Sequence, residues 1–309
     1  MPLDADLLLD RRRLKRRLSL WRAAAVLALA GLALGAVLWR GDAPDLIPGA
    51  GGAHVARLTV SGFIAEDRRL AEALDRARRN DAVRAVIVAI DSPGGSVAGG
   101  EALHAALSRV AERKPVVAVM GGTAASAGYM AALPAARVFA REATVTGSIG
   151  VILQSFDVSE LMARLGVRAE SIPSGAFKDA LSPFRPMTEE GRAELRRVVR
   201  DLHEQFVDKV AAGRRLPPAR VRDLADGRVF TGREAVGLGL VDAIGGEAEA
   251  RSWLAAERAV PAGLPLREIE TRSFGERTFG AAFGALLKGV LDEWVVVDRV
   301  RALWQPLTH

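Results

Sequence analysis

The feature that most constrains the fold is a regular alternation of apolar runs of strand length with segments of helix length, which starts near His54. We expect strands over residues 55–60, 82–90 and 115–120, and helices over 67–79 and 97–113. Continuously apolar strands joined by helices are typical of a parallel sheet covered on both faces. The sequence therefore predicts an α/β domain.

An uncharged apolar run of seventeen residues, 23–39, precedes this domain and follows a cluster of arginines and lysines. A helix of that length spans about 25 Å, against ~30 Å for a hydrocarbon core, and flanking Trp and Arg residues would cover the difference. The basic cluster predicts a cytoplasmic N-terminus and a soluble domain on the outer side of the membrane. A cleaved signal peptide is the alternative, since Ala33-Leu34-Gly35 fits a cleavage site.

The formal charge of +6 does not indicate a nucleic-acid partner, because residues 1–22 alone carry +4 and the remaining chain only +2. Cysteine is absent, which excludes disulfides, thiolate zinc sites and cysteine nucleophiles. Acidic residues and histidines show no spacing of metal ligands, so no metal and no cofactor is predicted.

Two glycine-rich stretches follow neighbouring predicted strands: DSPGGSVAGG (91–100) and GGTAASAGYM (121–130). Catalytic groups of parallel sheets collect at the carboxyl ends of the strands, so these stretches should meet. The glycines of the first allow backbone N–H groups to face an oxyanion, although an ordinary strand-to-helix turn explains them equally well. Ser126 in the second is either a nucleophile or a small residue where a helix packs tightly.

A serine nucleophile needs a general base. The four histidines lie near the linker, within helical patterns and at the C-terminus, and Ala124 stands where G-x-S-x-G requires glycine, which disfavours a Ser-His-Asp hydrolase. Arginine cannot release its proton, whereas a desolvated lysine can act as a base. Lys178 follows the strand-like stretch 167–172 in a loop bounded by prolines, where an ordinary surface lysine is the alternative.

The chain resembles the signal peptide peptidase A family of membrane-anchored bacterial serine proteases over residues 55–246, through DSPGGSV, TAASAGYMAA, TVTGSIGVI, SGAFKDALSPFRPMT and GRVFTGREAVGLGLVDAIGG. The resemblance implies a Clp protease/crotonase-like fold of repeated ββα units with a parallel sheet. It implies that Ser126 is the nucleophile, Lys178 the general base and Ser148 the residue that orients the lysine amine. It further implies an oxyanion hole formed by the N–H groups of Gly95 and Ala127, although the family often has glycine at the latter position.

The single copy of each motif resembles the short form of the family, in which the serine and lysine of one site come from neighbouring protomers. The resemblance thus implies a homo-oligomer, an octamer, with shared active sites. Candidate interfaces are residues 189–214 and 281–304, which otherwise pack on the protomer's own sheet. The implied substrates are apolar peptides, chiefly signal peptide remnants, and the implied location is the bacterial inner membrane with the catalytic domain on the periplasmic side.

The expected organisation is a basic tail (1–22), a transmembrane helix (23–39), a linker (40–53), a protease domain (54–260) and a partly helical C-terminal extension (261–309). Two other functions fit parts of the sequence. A crotonase-type acyl-CoA enzyme would share the glycine loop but leave Ser126, Ser148 and Lys178 unexplained. A non-catalytic membrane scaffold would retain the fold without the reaction.

Overall fold

The computed structural model describes residues 52–269. The predicted basic tail, transmembrane helix and nearly all of the linker, together with the extension from residue 270 on, lie outside the described residues. Within 52–269, the helices are all too short or too polar to cross a membrane.

Strands and helices alternate along the described chain, as the apolar pattern predicts. The strands are β1 (His54–Ile64), β2 (Val83–Gly95), β3 (Val116–Ala125), β4 (Arg137–Ala140), β5 (Val145–Gly147), β6 (Val229–Thr231), β7 (Ala243–Ile244) and β8 (Leu266–Glu268). The helices are α1 (Arg68–Arg79), α2 (Val97–Ala111), α3 (Ala127–Ala132), α4 (Ser159–Arg164), α5 (Glu189–Arg214), α6 (Pro218–Leu224), α7 (Gly232–Leu238) and α8 (Glu247–Arg258).

The strands of the described chain form one sheet in the order β6-β5-β3-β2-β1-β8, with β4 paired to β3 and β7 to β4. All pairs are parallel except β5 with β6. This confirms the predicted α/β class with a parallel sheet. β8 lies within the predicted C-terminal extension and pairs with the start of β1, so the sheet continues past residue 260.

Both faces of the sheet are buried, which explains the continuous apolar runs. Val86 and Val88 of β2 belong to the larger core cluster, whereas Ala85 and Ile87 of the same strand belong to a second cluster that includes Leu254 of α8. Successive side chains of a strand point to opposite faces, so a strand covered on both sides needs apolar residues at every position.

Two local predictions were wrong. The DSPGG stretch does not follow β2 as an irregular turn but forms its last residues, where Phe63 and Ile64 of β1 pair with Gly94 and Gly95; we call this glycine-rich end of β2 the glycine loop. The apolar run marks only the first part of this strand, whereas its last residues, Asp91 to Gly95, are held by backbone pairing. The strand-like stretch 167–172 has no regular structure and its side chains are exposed, since no described strand lies beside it.

Candidate active site

Ser126 lies on a sharp turn between β3 and α3 at the carboxyl edge of the sheet. Its backbone has φ 54° and ψ −121°, a conformation that residues with a side chain seldom adopt. Its N–H donates to the Gly147 carbonyl at 2.9 Å, which continues the β3–β5 pairing through the turn. The side chain is partly exposed, so a strained serine faces the open edge of the sheet.

The end of β2 lies directly against this serine. Gly94 has φ +126°, and a Cβ built on it would stand 2.9 Å from the Ser126 Cβ and 3.2 Å from its Oγ. A Cβ on Gly95 would collide with the Ile64 carbonyl oxygen at 1.9 Å. Glycine is therefore required at both positions, at Gly94 by the serine and at Gly95 by the pairing with β1.

Ser92 supports this glycine loop from the protein interior. It is fully buried; its hydroxyl donates to the Gly62 carbonyl at 2.6 Å and accepts from the Gly94 N–H at 3.1 Å. Ser92 is not among the site residues predicted from the sequence. The only signal was its place in the DSPGG motif, because its partner lies thirty residues away on β1.

Ser148 occupies the matching position on the next strand. Ala125 pairs with Gly147 in the β3–β5 ladder, so the residues that follow them, Ser126 and Ser148, leave the sheet side by side. Ser148 also has a positive φ, 48°, and its N–H donates to the Arg228 carbonyl at 2.8 Å. The structure thus brings Ser126, Ser148 and the Gly94–Gly95 loop together.

Lys178 does not join this group within one chain. It lies in a turn, with its N–H bonded to the Gly175 carbonyl at 3.1 Å, and its exposed side chain makes no hydrogen bond or ion pair within residues 52–269. The neighbouring Asp179 is partly buried and forms an ion pair with Arg185 at 3.3 Å. Arg185 also donates to the Asp179 carbonyl at 2.9 Å, so this pair fixes the lysine turn.

The described histidines lie away from Ser126. His54 begins β1, at the opposite edge of the sheet, and the His203 ring bonds to the Ala225 carbonyl at 2.7 Å. Burial lowers the pKa of His104, and the Lys209 charge lowers it further against the opposing effect of Glu101. No described group of three or more His, Asp or Glu side chains could hold a metal ion within 52–269.

A half-buried serine on a strained turn, faced by a glycine loop at the carboxyl edge of a parallel sheet, is an arrangement suited to a serine hydrolase. Comparison with known proteins gives the family. The model for peptidase family S49 matches residues 108–261. A putative protease of Synechocystis sp. is 40% identical over 203 residues, covering 65% of this chain and 73% of that protein.

A putative protease of Methanocaldococcus jannaschii is 37% identical over 57% of each chain, and the chloroplastic serine protease SPPA of Arabidopsis thaliana is 31% identical over 78% of this chain and 37% of its own length. The chain belongs to peptidase family S49. This confirms the predicted family and the predicted class of enzyme, a serine protease. A solved ClpP1 mutant from Listeria monocytogenes aligns over 62% of this chain and 92% of its own, with 18% identity and a TM-score of 0.41.

Proposed function

We propose that this protein is a membrane-anchored endopeptidase with a Ser-Lys dyad that degrades apolar peptides such as cleaved signal peptides. Ser126 Oγ attacks the scissile carbonyl while neutral Lys178 takes its proton, and the N–H groups of Gly95 and Ala127 stabilise the oxyanion. Lys178 then protonates the leaving amine. Water, deprotonated by the same lysine, hydrolyses the acyl-enzyme and restores the serine.

The observation that carries this proposal is the register of β3 and β5 beside the end of β2. It sets Ser126 and Ser148 next to each other, both with a positive φ, and Gly94 is too close to Ser126 to carry a side chain. An ordinary packing serine requires none of these features. A nucleophile that must face a carbonyl carbon beside backbone donors requires all of them.

The exposed position of Lys178 supports a site shared between two copies of the chain. The segment that carries it, residues 151–187, exposes ten large apolar side chains to solvent within one protomer. They are Ile152, Leu153, Phe156, Leu161, Leu165, Val167, Ile172, Phe177, Leu181 and Phe184. Apolar surface of this extent is typical of an interface. We infer that 151–187 packs on a neighbouring copy and presents Lys178 to its Ser126 and Ser148, in the octameric ring implied by the family.

The anchoring and location rest on the sequence before the domain. A basic cluster followed by the apolar run 23–39 supports a single span with the catalytic domain on the periplasmic side of the inner membrane. A protease held there by its N-terminus meets apolar peptides released into the bilayer. Phe63, which pairs with Gly94 at the end of β2, is an exposed apolar side chain and matches such substrates in chemistry.

The test is hydrolysis of apolar peptides by the full chain in detergent, from pH 6 to 10, with Ser126→Ala and Lys178→Ala variants. Both variants should be inactive and still assembled, whereas the wild type hydrolyses the peptides. Ser108→Ala and Lys209→Ala serve as matched controls, since both side chains lie on helices away from the site.

Mixing the two inactive variants tests the shared site. If each site takes its serine and lysine from different copies, exchange of subunits creates some complete sites and restores part of the activity. If the Lys178→Ala variant is active while the Ser126→Ala variant is inactive, the assignment of Lys178 as the base is contradicted. Hydrolysis that survives Ser126→Ala would contradict the nucleophile.

A further inference from the structure

We propose that Tyr129 is a positioning residue for Ser126: its buried hydroxyl ties the helix that follows the nucleophile to a loop fixed by the Arg214–Asp242 ion pair. The proposal rests on the proposed function, because it takes Ser126 as the reacting serine. Neither residue of the pair, nor Tyr129, belongs to the catalytic set predicted from the sequence.

The strained turn at Ser126 has to be held by what surrounds it. Helix α3 begins at the next residue, and the Met130 N–H donates back to the Ser126 carbonyl at 2.9 Å. Any shift of α3 therefore changes the backbone of the serine directly. All six residues of α3 are buried, so the helix is held from the protein interior.

Most of the contacts that hold α3 are close packing of small residues. A Cβ on Gly128 would stand 2.9 Å from the Ser92 carbonyl oxygen, and one on Gly100 of α2 would stand 2.9 Å from the Ala127 Cβ. Such contacts set how closely α3 approaches its neighbours, but they do little to fix the orientation of the helix. Tyr129 is the one residue of α3 whose side chain can form a directional hydrogen bond.

The Tyr129 hydroxyl donates to the Leu240 carbonyl at 2.9 Å, more than one hundred residues along the chain. Burial raises the pKa of this hydroxyl, so it remains a donor throughout the working range of the enzyme. The tyrosine is fully buried, and replacing its hydroxyl by hydrogen would leave the Leu240 carbonyl without this partner.

Arg214 bonds to residues on both sides of Leu240. This arginine, at the C-terminal end of α5, donates to the Gly239 carbonyl at 3.0 Å and to both oxygens of Asp242 at 2.7 and 3.1 Å. Asp242 in turn accepts from the Val138 N–H of β4 at 2.7 Å. The acceptor of the tyrosine is thus locked to α5 and to the sheet.

The other end of α5 follows the 151–187 segment that carries Lys178. One long helix therefore connects the loop that positions the nucleophile with the segment that carries the proposed base. The geometry assigns to Tyr129 the role of aligning Ser126, with Arg214 and Asp242 acting through it.

The first test compares Tyr129→Phe with wild type in the full chain in detergent. Labelling of Ser126 by a fluorophosphonate probe and kcat on an apolar peptide should each fall about tenfold, with KM unchanged. Val260→Ala is the control: it removes buried apolar surface on the opposite face of the sheet and does not contact α3. Labelling of Tyr129→Phe at the rate of a Val260→Ala protein of equal melting temperature would overturn the proposal.

The second test adds a readout that does not depend on activity. Tyr129 is the only tyrosine of the chain, so 3-fluorotyrosine gives a single ¹⁹F signal from the helix behind the nucleophile. Asp242→Asn should shift this signal and slow labelling of Ser126 together. An unchanged signal and labelling rate in Asp242→Asn would overturn the link to the ion pair. Failure of the proposed function shows differently, as wild-type protein whose Ser126 is never labelled.

Discussion

At the scale of single residues, backbone strain is concentrated at the candidate site. Four non-glycine residues in 52–269 have positive φ: Ser126, Ser148, Arg215 and Ala259. The last two cap the C-termini of α5 and α8, where a left-handed residue is ordinary. Neither serine caps the C-terminus of a helix, so this explanation does not apply to them. Strain of about 1–3 kcal/mol at each persists only where the surrounding structure imposes it, and it clusters at functional sites.

The space beside Ser126 predicts the effect of Gly94→Ala. The new methyl group would meet the Ser126 Cβ at 2.9 Å at a φ of +126°, so hydrolysis should fall by a factor of about 100 or more because the serine is displaced. Gly62→Ala is the matched control, since Gly62 also has positive φ but open space around its Cβ. Assays of both variants at equal folded concentration should separate them, and equal activities would contradict the close approach.

Ser148 gives a test that separates backbone strain from side-chain function. Ser148→Gly relieves the positive φ and should raise the free energy of unfolding relative to Ser148→Ala by about 1 kcal/mol. Both variants lack the hydroxyl that we propose orients the lysine, so both should lose most of their activity. Thermal melting and peptide hydrolysis check the two parts, and full activity in the glycine variant would exclude the orienting role.

The sequence motifs pointed to Ser126 and Ser148 but gave no sign of what holds them. Ser92, Tyr129 and Arg214 each act through a backbone carbonyl far along the chain. Such partners depend on which strands and loops become neighbours, and that information is not contained in local patterns. The motifs therefore single out the candidate residues, whereas the side chains that support them could not be predicted.

At the scale of helices and strands, the buried parts of the sheet could be predicted and its functional edge could not. Apolar runs marked β1, β2 and β3 because both faces of the sheet are covered. Their last residues, such as Gly94 and Gly95, are kept extended by pairing across a register shift near Gly62, which has no signature in hydropathy. The active edge is thus the part of the fold that depends most on tertiary pairing.

The ion pair between α5 and the loop before β7 predicts loss of stability in acid. Burial alone would raise the pKa of Asp242, but the hydrogen bonds and charge of Arg214 outweigh it, so its pKa lies below the ordinary value. Its contribution is therefore complete above the unfolded pKa, about 3.9, and disappears as pH falls through the lower folded value.

Asp242→Asn checks this linkage. The variant should be less stable at neutral pH by about 3 kcal/mol, since Arg214 keeps its charge in a nearly buried position without its partner. It should also lose less stability than wild type between pH 5 and 3. Melting temperatures measured across this range in wild type, in Asp242→Asn and in the exposed-pair control Glu204→Gln test the prediction. Parallel curves for wild type and Asp242→Asn would contradict it.

At the scale of the whole molecule, the 151–187 segment carries the proposed base and leaves its large apolar side chains exposed within one chain. Within the segment, the Val158 N–H donates to the Pro183 carbonyl at 2.8 Å, and α5 begins after Thr188 caps its first turn. Its backbone is therefore organised while its apolar side chains stay exposed, up to 93% at Ile172. The sequence predicts that Lys178 lies in a loop, and in the proposed site the partner of that loop is a neighbouring copy of the chain.

Charge placed on this surface should dissociate the assembly and abolish activity together. In Phe156→Glu/Ile172→Glu, two exposed apolar side chains become carboxylates that would lose their hydration at an interface, whereas an isolated protomer tolerates them. Ile244→Glu is the control, because Ile244 is an exposed apolar residue on β7, outside the segment. Light scattering in detergent should give a smaller particle for the double variant alone.

The same variant decides whether a complete site needs a second copy. A dissociated protomer keeps Ser126, Ser148 and the glycine loop in place, because their supports all lie within the chain. It should therefore retain its melting temperature and its ¹⁹F signal from Tyr129 while peptide hydrolysis is lost, since no neighbour presents Lys178. A dissociated protomer that hydrolyses peptide at the wild-type rate would show that one chain completes the site by moving its own segment.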